Sequence, residues 1–170
     1  MKPVRHVEGA AADDEADASG AQYLTFGLAG EMFAVNVHRV REVLDLQHIA
    51  KLANAPPGLL GITDVRGAGI PIVDLKRKLG MPSGETNDQS RIVVLQVVGP
   101  EGEMVVGALT DAVYEVTPLS DAAVEEPPKI GMTWDRSFML GIGRREGRFV
   151  TLLDLARVFA ADQTDLALYG

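Results

Sequence analysis

The chain has 170 residues, a formal net charge of −8 and 46% hydrophobic residues, enough for a buried core. The absence of cysteine excludes disulfides, thiolate metal sites and a cysteine nucleophile. The acidic balance disfavours nucleic-acid binding, no apolar run is long enough to span a membrane, and the first residues lack the apolar centre of a signal peptide, so we expect a cytoplasmic protein.

The segment 1–20 is rich in alanine, aspartate and glutamate and shows no apolar periodicity. Such a segment has too little apolar surface to offset the entropy of ordering, so residues 1–20 are predicted to be a disordered acidic tail. We expect one folded domain over residues 21–161 and a short tail over residues 162–170.

A hairpin and a short helix are predicted first in the folded part. Residues 23–28 alternate in polarity and residues 32–35 return as a second strand. Apolar residues at 37, 40, 43 and 44 fit one face of a helix over residues 37–44, with Asn36 as a possible N-cap. A short strand is predicted for residues 48–52, followed by a proline-containing turn over 54–58.

The next hairpin turns at Arg66-Gly67. Its strands are predicted over residues 61–65 and 69–73, and Asp74 is predicted to cap a helix over 75–79 that Gly80 ends. Gly67 is expected to need a positive φ at the corner.

A polar linker over residues 81–90 precedes the remaining elements. Strands are predicted over 91–98, 104–109 and 112–116, then a hairpin over 139–144 and 148–152, then a helix that Asp154 caps. Many short strands with few, short helices predict an all-β protein made of small barrels.

The sequence repeats itself when its second half is aligned with its first. Matching pairs extend without a gap from position 60 to position 77, and include Leu60-Gly61-Ile62 with Leu140-Gly141-Ile142, Gly67 with Gly147, and Asp74-Leu75 with Asp154-Leu155. We therefore predict two copies of one β-rich unit, divided near residues 81–90. Each copy alone is small for an independent core, so two barrels sharing a core, with a groove between them, are expected.

The repeat separates structural residues from functional candidates. Glycine is kept at the corner in both copies, but Arg66 of the first copy is replaced by Glu146 in the second. The scaffold therefore does not need the arginine, and Arg66 is predicted to serve a partner or to tie parts of the molecule together.

Catalytic motifs are weak in this sequence. The three histidines, His6, His38 and His48, are isolated and lack metal-ligand spacing. Asp74 and Asp154 can be imagined as a carboxylate pair for acid–base chemistry, but their identical place in both copies favours helix capping. We expect a binding protein without a cofactor or metal, and a small-barrel hydrolase that uses Asp74 stays as the alternative.

Three segments together resemble the CheW family of bacterial chemotaxis coupling proteins over about residues 21–160. They are Val40-x-Glu42-Val43, then residues 49–56 (IAKLANAP), then residues 61–75, which contain G-x-x-x-x-R-G-x-x-x-P-x-x-D-L. The resemblance implies two SH3-like five-stranded β-barrel subdomains with short helices and a shared core, in a protein that is not an enzyme.

The resemblance also implies the partners. A CheW-like protein is expected to couple the cytoplasmic tip of transmembrane chemoreceptors to the regulatory domain of a CheA-type histidine kinase, at receptor arrays on the inner face of the membrane. The alternative is a CheW-like module for a divergent receptor and kinase pathway that does not control motility. A monomer is expected in isolation, without membrane insertion.

Two sets of residues are carried over from the resemblance. The receptor-binding groove is expected to include Val40, Glu42, Val43, Arg66 and Gly67. The kinase-binding edge is expected to include Ile49, Lys51, Asn54, Pro56 and Gly61. Whether Arg66 contacts a partner or braces the groove stays open.

Overall fold

A computed structural model describes residues 21–99, 102–119 and 138–160. The described residues form ten strands, two short helices and one 3-10 turn at Val37–Arg39. The strands are β1 Gln22–Leu28, β2 Glu31–Asn36, β3 Val40–Asp45, β4 Leu59–Val65, β5 Ala68–Asp74, β6 Arg91–Gly99, β7 Gly102–Thr110, β8 Ala112–Pro118, β9 Met139–Arg145 and β10 Arg148–Leu153. The helices are α1 Leu75–Lys78 and α2 Leu155–Val158. The predicted terminal tails and residues 120–137 lie outside the described residues.

The strands form two five-stranded sheets. Sheet A has the order β8-β1-β2-β10-β9, and sheet B has the order β3-β6-β7-β5-β4. One parallel pair occurs in each sheet, β2 with β10 and β5 with β7, and the other neighbours are antiparallel. The predicted all-β architecture of two small barrels is confirmed; each curled sheet is called barrel A or barrel B below.

The two sequence repeats are not the two barrels. One repeat runs from β1 to α1 and the other from β6 to α2, yet the β1–β2 hairpin pairs with strands of the second repeat, and the β6–β7 hairpin pairs with strands of the first. The expected division near residues 81–90 is therefore wrong as a subdomain boundary, because β5 and β6 on either side of it both belong to sheet B. Each barrel is completed by a hairpin from the other repeat.

A shared core joins the barrels. Phe26 and Phe33 of sheet A are buried in one cluster with Val93, Leu95 and other side chains of sheet B. Because successive residues of a strand face opposite ways, the neighbours of these residues form two smaller clusters, one around residues 32, 34, 150 and 152 and one around residues 72, 92 and 94. The predicted shared core is confirmed, since the largest cluster contains side chains from both sheets.

The hairpin corners are two-residue turns with both residues at positive φ. Arg66 and Gly67 have φ of 51° and 85°, and Glu146 and Gly147 have φ of 51° and 79°. This pattern is the type I′ turn, whose twist matches the twist of the flanking strands. The positive φ expected at Gly67 is confirmed, and the residue before it shares that conformation.

Asp74 and Asp154 cap α1 and α2, as predicted. The carboxylate of Asp74 accepts a hydrogen bond from the backbone N–H of Arg77 at 3.4 Å, and that of Asp154 accepts one from Arg157 at 3.2 Å. Asp74 also accepts a hydrogen bond from the Ser83 hydroxyl at 2.7 Å. Their shared role explains why both repeats keep the aspartate.

Two sequence predictions are wrong in this region. The predicted helix over residues 37–44 is only a 3-10 turn at Val37–Arg39, where Asn36 accepts a hydrogen bond from the His38 N–H at 2.9 Å, followed by strand β3. Pairing with β6 and the β-branched valines favour the strand. The strand predicted for 48–52 is reduced to a single bridge between Ala50 and Ile62.

Candidate functional site

An ion pair connects the two predicted functional residues of the first repeat. The Nη1 and Nη2 atoms of Arg66 lie 2.8–3.0 Å from both carboxylate oxygens of Glu42. Arg66 leaves 64% of its side chain exposed, whereas Glu42 leaves 20% exposed. The two planar groups meet in a forked geometry, which adds directional specificity to charge attraction.

The Glu42–Arg66 pair connects the two outer strands of sheet B. Glu42 lies on β3 and Arg66 directly follows β4, and β3 and β4 are the two outer strands of sheet B. The ion pair therefore joins the two edges of the curled sheet and closes barrel B at one end.

The turn itself does not require the arginine. A non-glycine residue at positive φ is strained, by an amount on the order of 1 kcal/mol, and Asn or Gly fits a type I′ turn better. The Gly67 N–H donates to the Asp64 carboxylate at 2.7 Å and so fixes the corner independently of the Arg66 side chain. The turn therefore forms without a contribution from the Arg66 side chain, which is left to pair with Glu42.

The valines around Glu42 reach the shared core. Val40 is buried in it, and Val43 is half-buried and packs against it. All five residues predicted for the receptor-binding groove belong to sheet B or to its β4–β5 turn. Sheet A contributes none of them, so they form at most one wall of a groove between the barrels.

The loop between β3 and β4, residues 46–58, lies along β4. The side-chain amide of Gln47 donates to the Thr63 hydroxyl at 3.1 Å and to the Asp64 carbonyl at 2.9 Å. Two backbone hydrogen bonds of 2.8 and 2.9 Å link Ala50 and Ile62. These bonds hold the loop against the barrel with little regular secondary structure.

An open cavity of about 550 Å³ lies between this loop and the β4–β5 hairpin. It is lined by Gln47, His48, Ala50, Ile62, Thr63, Asp64, Gly67 and Gly69. Its wall therefore combines apolar and polar groups next to the turn that carries Arg66.

The five residues predicted for the kinase-binding edge lie on this loop and on β4, but they differ in accessibility. Lys51 and Asn54 are exposed, and Asn54 has a φ of 59°. Ile49 is half-buried against a core cluster of barrel B, and the Pro56 carbonyl accepts a hydrogen bond from the Leu59 N–H at 3.1 Å. Gly61 is buried, and a Cβ there would lie 2.8 Å from the Ala50 carbonyl carbon. Gly61 and Pro56 therefore shape the edge, while Lys51 and Asn54 are accessible to a partner.

Barrel A contains a counterpart of the Glu42–Arg66 pair that was not predicted from the sequence. Strand β8 contains Val113-Tyr114-Glu115-Val116, which matches Val40-Arg41-Glu42-Val43 at its first, third and fourth positions. Glu115 is paired with Arg145, at the end of β9, and β8 and β9 are the outer strands of sheet A. Each barrel is thus closed by a glutamate and an arginine, and the recurring V-x-E-V string was the available signal.

The described residues contain no group of three or more His, Cys, Asp or Glu side chains placed to hold a metal ion. Within the same ranges, no helix has the length and apolar character needed to cross a bilayer. The fold and the site define a class of protein built from two small β-barrels, with an exposed loop, a hairpin and an ion pair on barrel B.

Comparison with known proteins gives the family. Residues 22–163 match the model of the CheW-like domain, and the chain belongs to this family. It is 34% identical to the chemotaxis protein CheW of Rhizobium meliloti, over 87% of this chain and 93% of that protein. The crystal structure of the scaffolding protein TtCheW from Thermoanaerobacter tengcongensis superimposes with a TM-score of 0.72 at 28% identity, covering 82% of this chain and 88% of that one. The chain is accordingly a CheW-like adaptor of the chemotaxis type, as the resemblance predicted.

One relative has another name. The chain is 26% identical to the protein FrzA of Myxococcus xanthus, over 81% of this chain and 84% of that protein.

Proposed function

We propose that this protein is a non-catalytic adaptor that couples the cytoplasmic tip of chemoreceptors to the regulatory domain of a CheA-type histidine kinase. The observation that carries the proposal is the forked Glu42–Arg66 pair, which unites the two motif residues of the family resemblance at the closed end of barrel B. The protein acts in the cytoplasm and is recruited to receptor arrays at the inner face of the membrane.

Arg66 has two roles in this proposal. It braces the edges of sheet B through Glu42, and its exposed guanidinium is accessible to a carboxylate or carbonyl of the receptor. Val40 and Val43 tie the same strand to the shared core, so a displacement of Arg66 is transmitted to β3 and the packing behind it. The proposed receptor site is therefore in contact with the shared core of the two barrels.

The kinase contacts loop 46–58 and its cavity. Lys51 and Asn54 provide polar contacts at the rim, and the open cavity accepts an apolar side chain of the partner beside Ile62. Gly61 keeps the loop close to β4 and so preserves the shape of this surface.

Titration of the ¹⁵N-labelled protein with the regulatory domain of a CheA-type kinase from the same organism tests the proposal. Saturable NMR shifts concentrated in residues 49–61 are expected. A titration that leaves this segment unchanged while other residues shift would contradict the assignment of the kinase face, and no interaction with any such domain would contradict the coupling function.

A divergent receptor and kinase pathway is the second candidate function. The match to a relative that is named FrzA rather than CheW supports this candidate. Parallel titrations with the regulatory domains of all CheA-type kinases of the organism distinguish the two candidates, since the pathway is set by the kinase that binds most tightly.

A further inference from the structure

The cavity between loop 46–58 and the β4–β5 hairpin is open at a position that has no side chain. Gly69, on β5, lines this cavity together with Ile62 and Asp64. A Cβ at Gly69 would lie 3.2 Å from Cγ2 of Ile62, so a larger side chain there would extend along Ile62 and fill the space. Gly69 does not have a positive φ, and a glycine inside a strand weakens it, so the local backbone does not require glycine here.

The second repeat shows which side chains occupy the equivalent positions on the same backbone. Gly69 pairs with Asp64 across the β4–β5 hairpin, and Phe149 pairs with Arg144 at the equivalent place in the β9–β10 hairpin. The guanidinium carbon of Arg144 lies over the Phe149 ring, 4.8 Å from its centroid, which is a cation–π distance. Barrel A therefore carries an aromatic ring and a cation where barrel B carries a glycine and an aspartate.

The charge at the cavity is complementary to a cation. Among the described residues that line it, Asp64 is an acid and none is a lysine or arginine. Oδ1 of the exposed Asp64 accepts a hydrogen bond from the Gly67 N–H at 2.7 Å, which holds the carboxylate at the rim. The charge of the neighbouring Arg66 is balanced by its pairing with Glu42. A fixed carboxylate therefore lies beside the space at Gly69.

We propose that Gly69 and Asp64 determine the specificity of the kinase contact, by accepting an aromatic side chain of the regulatory domain that lies next to a lysine or arginine. The ring enters the cavity over Gly69 and packs on Ile62, and the cation pairs with Asp64. The partner thus supplies the ring and the cation that barrel A carries itself. The identity of the partner as a kinase domain rests on the proposed function, whereas the choice of ring and cation rests on Gly69 and Asp64.

Isotope-filtered NOE spectra identify the group that enters the cavity. The ¹³C-labelled protein is mixed with the unlabelled regulatory domain of a CheA-type kinase from the same organism. NOEs from the Ile62 methyl groups and the Gly69 Hα atoms to aromatic protons of the kinase are expected. A complex in which these atoms show NOEs to aliphatic protons alone, or none to the kinase, would overturn the proposal.

Gly69→Phe places in barrel B the residue that barrel A has at the equivalent position. Because the new ring fills the cavity, the affinity for the kinase domain is expected to fall by about tenfold or more. Gly84→Phe is the matched control, since Gly84 is exposed and the nearest atom to its added Cβ is the flexible end of Lys76 at 4.0 Å. Its affinity should equal that of the wild type. If Gly69→Phe fails to fold, the NOE contacts and the next variant decide.

Asp64→Asn removes the charge but keeps an oxygen that accepts the hydrogen bond of the Gly67 N–H. The affinity is expected to fall by about fivefold, the upper range for one exposed ion pair, and the difference from the wild type should vanish at high salt. Asp88→Asn removes the same charge at an exposed position in the connection before β6 and should bind like the wild type.

Failure of the specificity and failure of the proposed function give different results. Wild-type protein that binds no CheA-type regulatory domain contradicts the proposed function and the specificity with it. Wild-type binding that a folded Gly69→Phe or Asp64→Asn leaves unchanged overturns the specificity alone, and the coupling function then stands.

Discussion

Arg66 and Glu146 occupy the same position in two equivalent hairpins and share a φ of 51°, yet they carry opposite charges. Because the backbone is the same in both turns, neither side chain is chosen for the turn. The two barrel ends therefore differ in their side chains, with a guanidinium paired to Glu42 at one end and a carboxylate beside Arg145 at the other.

Arg66→Ala is expected to abolish kinase activation in reconstituted receptor assemblies while the fold is retained. The substitution removes an ion pair whose arginine is largely exposed, so the free energy of unfolding should fall by no more than about 1 kcal/mol. Kinase activity with receptor and circular dichroism are measured together. Glu146→Ala, in the equivalent turn, is the control and should retain activation; normal activation by Arg66→Ala would contradict the assigned role.

Gly61→Ala is expected to impair kinase-domain binding by displacing loop 46–58. Gly61 has a φ of 155°, and an added Cβ would lie 2.8 Å from the Ala50 carbonyl carbon, so the two Ala50–Ile62 hydrogen bonds cannot be kept. Hydrogen exchange of the Ala50 and Ile62 amides and titration with the kinase domain measure the effect. Gly84→Ala is the control, because the nearest atom to its Cβ is the flexible end of Lys76 at 4.0 Å.

Local elements could be predicted from the sequence because their signals are local. The Arg66-Gly67 corner and the Asp74 cap depend on residues within a few positions of each other. Strand β3 could not be predicted, since its apolar spacing also fits a helix and only its pairing with β6, far along the chain, selects a strand. The exchange of hairpins between the repeats could not be predicted either, because hydrophobic patterning does not specify which hairpin completes a barrel.

The second glutamate–arginine pair was missed because the repeat is interrupted. The β4–β5 and β9–β10 hairpins align when Gly67 is matched with Gly147. The same offset does not match Glu42 with Glu115. The connection from β8 to β9 is longer than loop 46–58, so the strands before the two connections match at a different offset. A comparison at one fixed offset therefore finds the paired glycines but not the paired glutamates.

Asp74→Ala is expected to destabilise the protein more than Asp154→Ala. Both variants lose an N-cap, which costs about 1 kcal/mol, but Asp74 is buried and also accepts the hydrogen bond of Ser83. Urea unfolding of the two variants measures the difference. Equal losses of unfolding free energy would show that the Ser83 hydrogen bond does not stabilise the protein. Separately, a hydrolase activity that is present in the wild type and lost in Asp74→Asn would support the hydrolase alternative.

Asp111→Ala is expected to be the most destabilising of these substitutions, because Asp111 holds parts of both barrels. Its carboxylate accepts hydrogen bonds from the buried Lys76 ammonium and from the Ala29 N–H in the β1–β2 turn, each at 2.7 Å. Removing the carboxylate leaves a buried cation without this partner, and the free energy of unfolding should fall by about 2–3 kcal/mol, less than for a fully buried pair.

Lys76→Met provides the matched test of this explanation. A methionine fills the space of the lysine stem without a charge, so the double variant of Lys76→Met with Asp111→Ala should lose less stability than the sum of the two single variants. Urea unfolding of all four proteins closes the thermodynamic cycle. Strict additivity would mean that Lys76 and Asp111 contribute independently, and would contradict the proposed coupling between them.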